Sequence, residues 1–423
     1  MAGGQEAADD SGAHRAEAKE SNRRRSGGHP AAIVGKRLLL LGEVGQLVFS
    51  TGEFQRRWEA ARDLMRAAEV GVLLVFGSRG AAHEVQYLSG YPVSGEALLV
   101  FPLDGDPTLL VHYENHVPDA RRLSVFEDVR PRGEDAVGAA LAVLNEKGHA
   151  REAVGVAGPL SFRRYAALAD ALGVAPVDLQ SQFARLRLVK SAEEMKMIAA
   201  GAALSDAALL ALRREARPGL SEHDLVAIVE AAYLSAGGTT HIHYLGATSM
   251  KEPDLCVPRQ FATGRRLRDG DVILTELSAA SGGYYGQVLR TLIVGAEPTP
   301  EYSRAHELAT AVYKEVCAAI RPGVSSETIL DIAEKIHAAG FTIYDDLVHC
   351  AVGGVYAPFL RTRPTTRGAG HSFTFEEDMV IVVQPNVVTT DERMGVQVGD
   401  MLRVTANGVQ SFHAVPREIL LCG

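Results

Sequence analysis

The stretch Glu276-Leu277-Ser278-Ala279-Ala280-Ser281-Gly282-Gly283-Tyr284-Tyr285-Gly286-Gln287-Val288-Leu289-Arg290-Thr291 reads as two strands folded back on a tight turn. Upstream, Asp269-Gly270 supplies a positive-φ turn position, and the aliphatic run Val272-Ile273-Leu274 fits a pleated surface. Ser281-Gly282-Gly283 turns the chain, and Tyr284 to Val294 returns as the partner strand. Glu276 and Gln287 then face each other across the hairpin.

Working outward, Arg217-Pro218-Gly219-Leu220-Ser221 and Arg321-Pro322-Gly323-Val324-Ser325 form an internal repeat. In each copy Pro-Gly stops one helix, a serine caps the next, and that helix closes on Gly237 or Gly340 before strand material. Two helix-helix-strand halves imply a pseudo-two-fold domain with a cleft between its sheets. Its opening is marked by Ser191-Ala192-Glu193-Glu194, a capping box that starts a long helix.

Earlier in the chain a helix is expected over Glu53 to Ala68, with Phe54, Trp58, Ala61, Leu64 and Met65 on one face. Strands follow at Val72–Phe76, Ala97–Phe101, Thr108–Val111 and Ala153–Val156, with a helix over Gly133 to Gly148. This alternation predicts an α/β domain over residues 36–184, a second domain over 185–423, and a disordered, charged tail over 1–35. With 423 residues, 47% of them hydrophobic, two full cores are affordable in material terms.

The net charge of -9 gives no electrostatic footprint for nucleic acid, so a small molecule is the expected partner. Cys256, Cys317, Cys350 and Cys422 have no CxxC or finger-like spacing, which argues against structural zinc and disulfides and points to the cytoplasm. No run of about 18 apolar residues is present, so no membrane span is expected. Arg23-Arg24-Arg25 before Leu38–Leu41 is too short and too interrupted for an export signal.

Gly270-Asp271-Val272 with its acid at Glu276, followed by Gly283-Tyr284-Tyr285 and Arg290-Thr291, resembles the pita-bread hydrolases: methionine aminopeptidase, aminopeptidase P, prolidase and creatinase. The phrase Arg187-Leu188-Val189-Lys190-Ser191 also resembles the opening of that family's catalytic domain. The resemblance implies an α+β architecture, with a pita-bread C-terminal domain behind a creatinase-like α/β N-terminal domain, and a homodimer. It also implies a site where two aspartates, a histidine and two glutamates hold a pair of divalent metals. Carried onto this chain, those positions are Glu276, Gln287, His349, Gln384 and Gly399.

Four carboxylates neutralise two cations in such a site, whereas neutral glutamine amides compete poorly with water for them. No metal or other cofactor is therefore expected. Asp400 does not replace the lost acid, because strand side chains alternate and it faces away from position 399, while Gln397 shares that position's face. Cys350, beside His349, points to the opposite face and reads as structural.

The remaining residues suggest a polar pocket. Glu276 is assigned to orient water, and Gln287, Gln384 and Gln397 to hold an amide-like substrate, with Tyr285 and Arg290 as further binding residues. His241 and His243, placed on one strand face by their spacing, or His349, supply the acid/base, as a histidine does in metal-free creatinase. The expected activity is metal-independent hydrolysis or elimination at a C–N bond of a small amide-, amidine- or amino-acid-like molecule. Two alternatives stand beside it: an inactive family member that binds a peptide or protein, and an Xaa-Pro metallopeptidase with altered ligands.

Overall fold

The structure, a computed structural model, describes residues 49–81, 83–350, 359–366 and 372–422. The expected tail over 1–35 lies outside them, as does the stretch after Cys350. Among the described residues two large sheets organise the chain. The first has six strands in the order Val129–Pro131, Thr108–Val111, Glu96–Pro102, Val72–Ser78, Val154–Ala157, Val177–Asp178. Val72–Ser78 is buried through its first six residues, as a continuous aliphatic run in a sheet covered on both sides must be.

The second sheet is antiparallel along its main path, in the order Phe359–Leu360, Val348–Cys350, Val380–Val383, Val398–Thr405, Tyr284–Val294, Asp271–Ser281, Thr239–Ser249. Its centre is the hairpin read from the sequence: Ser281 pairs with Tyr284, and Gly282 and Gly283 between them take φ of 56° and 84°. Two successive positive-φ residues are what a type I′ two-residue turn requires, which explains the glycine pair.

The helix Ala192–Glu215 begins at the expected capping box. The Ser191 hydroxyl accepts from the Glu194 amide (3.1 Å), and the Ser191 amide donates to the Glu194 carboxylate (2.9 Å). This helix is long and apolar enough on average to cross a membrane, but charged residues interrupt it, most of it is buried, and it packs onto the hairpin as a core helix. A Cβ on Gly286 would lie 2.2 Å from Ala202 Cα, and one on Gly201 would lie 2.6 Å from Tyr284 O. That close approach lets the Ser205 hydroxyl donate to Gly286 O (2.6 Å) and accept from Ala279 N–H (2.8 Å).

The repeat is present as two helix pairs, Ala192–Glu215 with Glu222–Leu234 and Pro300–Ala319 with Ser326–Ala338. Ser221 and Ser325 cap the second helix of each pair with their hydroxyls. The capped helices lead into Thr239–Ser249 and Phe341–Thr342.

Candidate active site

Residues paired directly across strands share a face, so the register assembles the site. Glu276 pairs with Leu289, Leu289 with Gly399, and His349 with Val382. Gln287 lies two residues from Leu289 and therefore on the same face. Its amide bridges the row: Nε2 donates to Glu276 Oε1 (2.7 Å), and Oε1 lies 3.1 Å from His349 Nε2. His349 Nδ1 meets Asp346 Oδ2 at 2.6 Å. The result is a four-residue chain, Glu276–Gln287–His349–Asp346, in which every link is a hydrogen bond.

Asp345 and Asp346 add two acids to the pocket, beside the five positions read from the sequence. Asp345 accepts from Asn386 Nδ2 at 3.0 Å. Burial, with Asp345 nearby, pushes Glu276 up to about 7. Burial also raises Asp345. Against burial, the charge and hydrogen bond of His349 hold Asp346 low, and those of Asp346 hold His349 high. The overlooked signal was local: an Asp-Asp pair with one member three residues before the histidine, the range in which a turn brings a carboxylate to an imidazole.

Gln384 is buried beside position 399, with Oε1 unpartnered among the described residues. A Cβ on Gly399 would stand 2.8 Å from Leu289 Cδ1 and 3.0 Å from Gln384 Cβ. Leu289 thus fills the space a carboxylate would need there. Gln397 is fully buried and neither of its amide atoms is partnered among the described residues; no hydrogen bond joins it to Glu276, Gln287 or His349.

The two histidines of the Thr239–Ser249 strand do not share a face. A register shift between Thr240 and Ile242 makes His241 an extra residue, and its ring stacks on Tyr285 at 4.1 Å. Tyr285 and Gln287 lie on one face, so the bulge turns His241 toward the site. His243 pairs with Leu277 on the helix-covered face, accepts from Ser278 N–H at Nδ1 (3.3 Å) and meets the Tyr233 hydroxyl at Nε2 (2.7 Å). Burial pushes His243 and His241 each down to about 4. The structure does not bring His243 to Glu276.

Arg290 is likewise not a substrate anchor. Wholly buried, it donates from Nε to Pro416 O (2.6 Å), from Nη1 to Leu289 O and Gly399 O (both 2.8 Å), and from Nη2 to Asp400 Oδ1 (2.8 Å) and Val415 O (3.2 Å). All five of its N–H groups are occupied. Asp400 turns away from position 399 as expected, and takes Tyr313 and Arg417 as further partners.

The donor set does not suit a pair of divalent cations. Of the five positions one is glycine and two are glutamines, and Gln287 already ties Glu276 to His349. Among the described residues no three His, Cys, Asp or Glu side chains converge as a metal would require.

A mixed helix-and-sheet domain built from two helix-pair repeats around this row, behind an α/β domain, defines a two-domain pita-bread protein. The pattern of metallopeptidase family M24 matches residues 196–406, and that of the creatinase/prolidase N-terminal domain matches residues 57–189. The chain belongs to the M24 family. It is 27% identical over 291 residues to the probable dipeptidase PepE of Mycobacterium tuberculosis, covering 68% of this chain and 74% of that one. The Xaa-Pro dipeptidase of Pyrococcus furiosus is 24% identical over 79% of this chain and 92% of its own. The solved structure of dipeptidase PepE from Mycobacterium ulcerans superposes with a TM-score of 0.72 at 22% identity, covering 88% of this chain and 99% of that one.

Proposed function

We propose that the chain hydrolyses a C–N bond in a small, dipeptide-sized amide without the dinuclear metal centre of its family, in the manner of creatinase. The observation that carries this reading is the Gln287 bridge, in which side chains at ligand positions hydrogen-bond one another instead of converging on a cation. The relatives named dipeptidase and Xaa-Pro dipeptidase support an amide of that size. The free cysteines support a reducing compartment.

The chemistry follows from the proton positions. Asp346 holds one proton on His349 Nδ1 and favours a second on Nε2, so Nε2 can protonate the departing nitrogen. Glu276, poised near neutrality, accepts a proton from the attacking water. As the water oxygen bonds to carbon and the C–N bond breaks, the protein has moved one proton from His349 to Glu276.

Gln287 is suited to the return. With its NH2 toward an ionised Glu276 its oxygen faces protonated His349; with the amide reversed, its oxygen accepts from the Glu276 acid and its NH2 donates to neutral Nε2. The two orientations complement the two proton states of the pair.

The test combines metal analysis with turnover. Protein purified and dialysed against chelator is assayed on Xaa-Pro and other dipeptides and on small amides, while its manganese, zinc and iron are measured. Turnover that survives chelation, with no stoichiometric metal, is the expected result. Glu276→Gln should then lower kcat by about 10²–10⁴-fold with KM little changed. Stoichiometric metal with activity lost to chelator would overturn the proposal in favour of a metal-dependent dipeptidase. The unpartnered amides of Gln384 and Gln397 favour a second reading, ligand binding without chemistry, which predicts thermal stabilisation by peptides and no product.

A further inference from the structure

Beside the chain Glu276–Gln287–His349–Asp346, the same face carries buried polar atoms that no neighbour satisfies. Gln397 is wholly buried and Gln384 is 3% exposed, yet Gln397 Oε1 and Nε2 and Gln384 Oε1 have no partner among the described residues. A buried amide atom left unpaired is costly, so a group of them on one face points to a ligand that pairs them.

The backbone brings a carboxylate to these amides. Asn386, two residues after Gln384, donates from Nδ2 to Asp345 Oδ2 (3.0 Å), and its Oδ1 accepts from the N–H of Val398 (3.1 Å), the residue after Gln397. Gln384 N–H donates to Leu347 O at 2.9 Å, which fixes the segment carrying Asp345 alongside. Gln384 lies against Gly399, and Gln397 stands two residues before it, so the two amides are diagonal neighbours about 7–8 Å apart at the backbone, within reach of long side chains. Glu276 joins the same row through Leu289 and Gly399. Asp345 is also the charge that acts most on Glu276, so its carboxylate faces the site.

Asp346 is matched by His349, but Asp345 has no such counter-ion. Its Oδ2 takes the neutral amide of Asn386, and its Oδ1 takes no hydrogen bond among the described residues. Arg361 is exposed and forms no ion pair with it among those residues. The acceptors left over are Asp345 Oδ1, Gln384 Oε1 and Gln397 Oε1, three oxygens of which one is anionic. A divalent cation asks for more negative charge than that. A protonated primary amine carries one positive charge and three N–H donors, one for each oxygen.

We propose that Asp345, Gln384 and Gln397 form a subsite for a protonated primary amine. Gln397 Nε2 remains as a donor to a carbonyl oxygen of the same ligand. What that ligand is in turnover rests on the hydrolase reading above: because the subsite adjoins Glu276, the substrate class is an amide that carries a protonated amine near its C–N bond.

Propylamine at pH 7.5 is the probe. Tetramethylammonium, which has the charge without N–H donors, and 1-propanol, which has the chain without the charge, are controls at equal ionic strength. Propylamine should raise Tm of the full-length protein progressively, and neither control should. Asp345→Asn, close to isosteric, should weaken propylamine by about tenfold or more. Gln397→Met keeps the volume and removes the unpaired atoms, so it should raise Tm of the free protein while weakening propylamine. A purely structural glutamine would not move the second quantity, and a variant expected to stabilise the fold keeps the test readable. Amine binding without turnover would leave the subsite standing and remove the hydrolase reading; turnover without amine binding would do the reverse. Absence of propylamine-specific stabilisation in the wild type, or its full retention in both variants, would overturn the proposal.

Discussion

Arg290 shows how far one residue's role depends on its surroundings. In the sequence an arginine three residues beyond Gln287 fits an anchor for a substrate carboxylate. In the fold it holds four carbonyl groups and Asp400, and against the upward push of burial the neighbouring cations, Arg290 foremost, hold Asp400 low. Arg290→Leu should therefore lower stability by about 3–5 kcal/mol, because it strands a buried carboxylate. Urea denaturation measures this; a raised KM with unchanged stability would instead restore the anchoring role. Glu276, Gln287 and His349 were legible as one constellation through the family phrases they interrupt. Asp345 and Asp346 were not, because no periodicity marks a carboxylate that reaches its histidine through a turn.

At the scale of elements, the hairpin, the capping box and the serine-capped repeat helices were readable because each is specified by contiguous residues. The bulge at His241 was not. Alternation predicts that residues two apart share a face, and only the pairing of Thr239–Ser249 with Asp271–Ser281 shows the extra residue that parts His241 from His243. The seam between helix and hairpin belongs to the same scale. Gly286→Ala would drive a methyl into Ala202 and should cost about 1–3 kcal/mol or more, with the helix displaced. Ser191→Ala, which removes only the capping hydroxyl, should cost about 1 kcal/mol. Chemical denaturation of the two variants should show that order, and a reversed order would mean that the seam tolerates more bulk than its distances imply.

For the whole molecule, half-buried histidines tie stability to pH. His243 stays neutral in the fold down to about 4, whereas an unfolded histidine takes its proton near 6.5. Below that value the unfolded chain binds more protons, so this contribution is complete above about pH 6.5 and fades as pH falls toward 4, by up to about 1.4 kcal/mol per pH unit for each such histidine. His241 acts in the same sense, and burial lowers His83 further, to about 3. Urea midpoints between pH 7.5 and 4.5 should fall less steeply in His243→Asn than in the wild type; identical slopes would show that His243 is not a proton-linked site.

The sequence by itself determined the local elements, the two-domain α+β architecture and the loss of three acids from the five metal-binding positions, two to amides and one to glycine, because helix caps, glycine turns and strand phrases are written in neighbouring residues. Only the tertiary structure decided which side chains meet. The bond from Gln287 to His349 spans 62 residues, and the cavity at the turn end of the hairpin is lined by residues from Phe49 to Tyr285; register and burial act across such distances in the chain and leave no local mark.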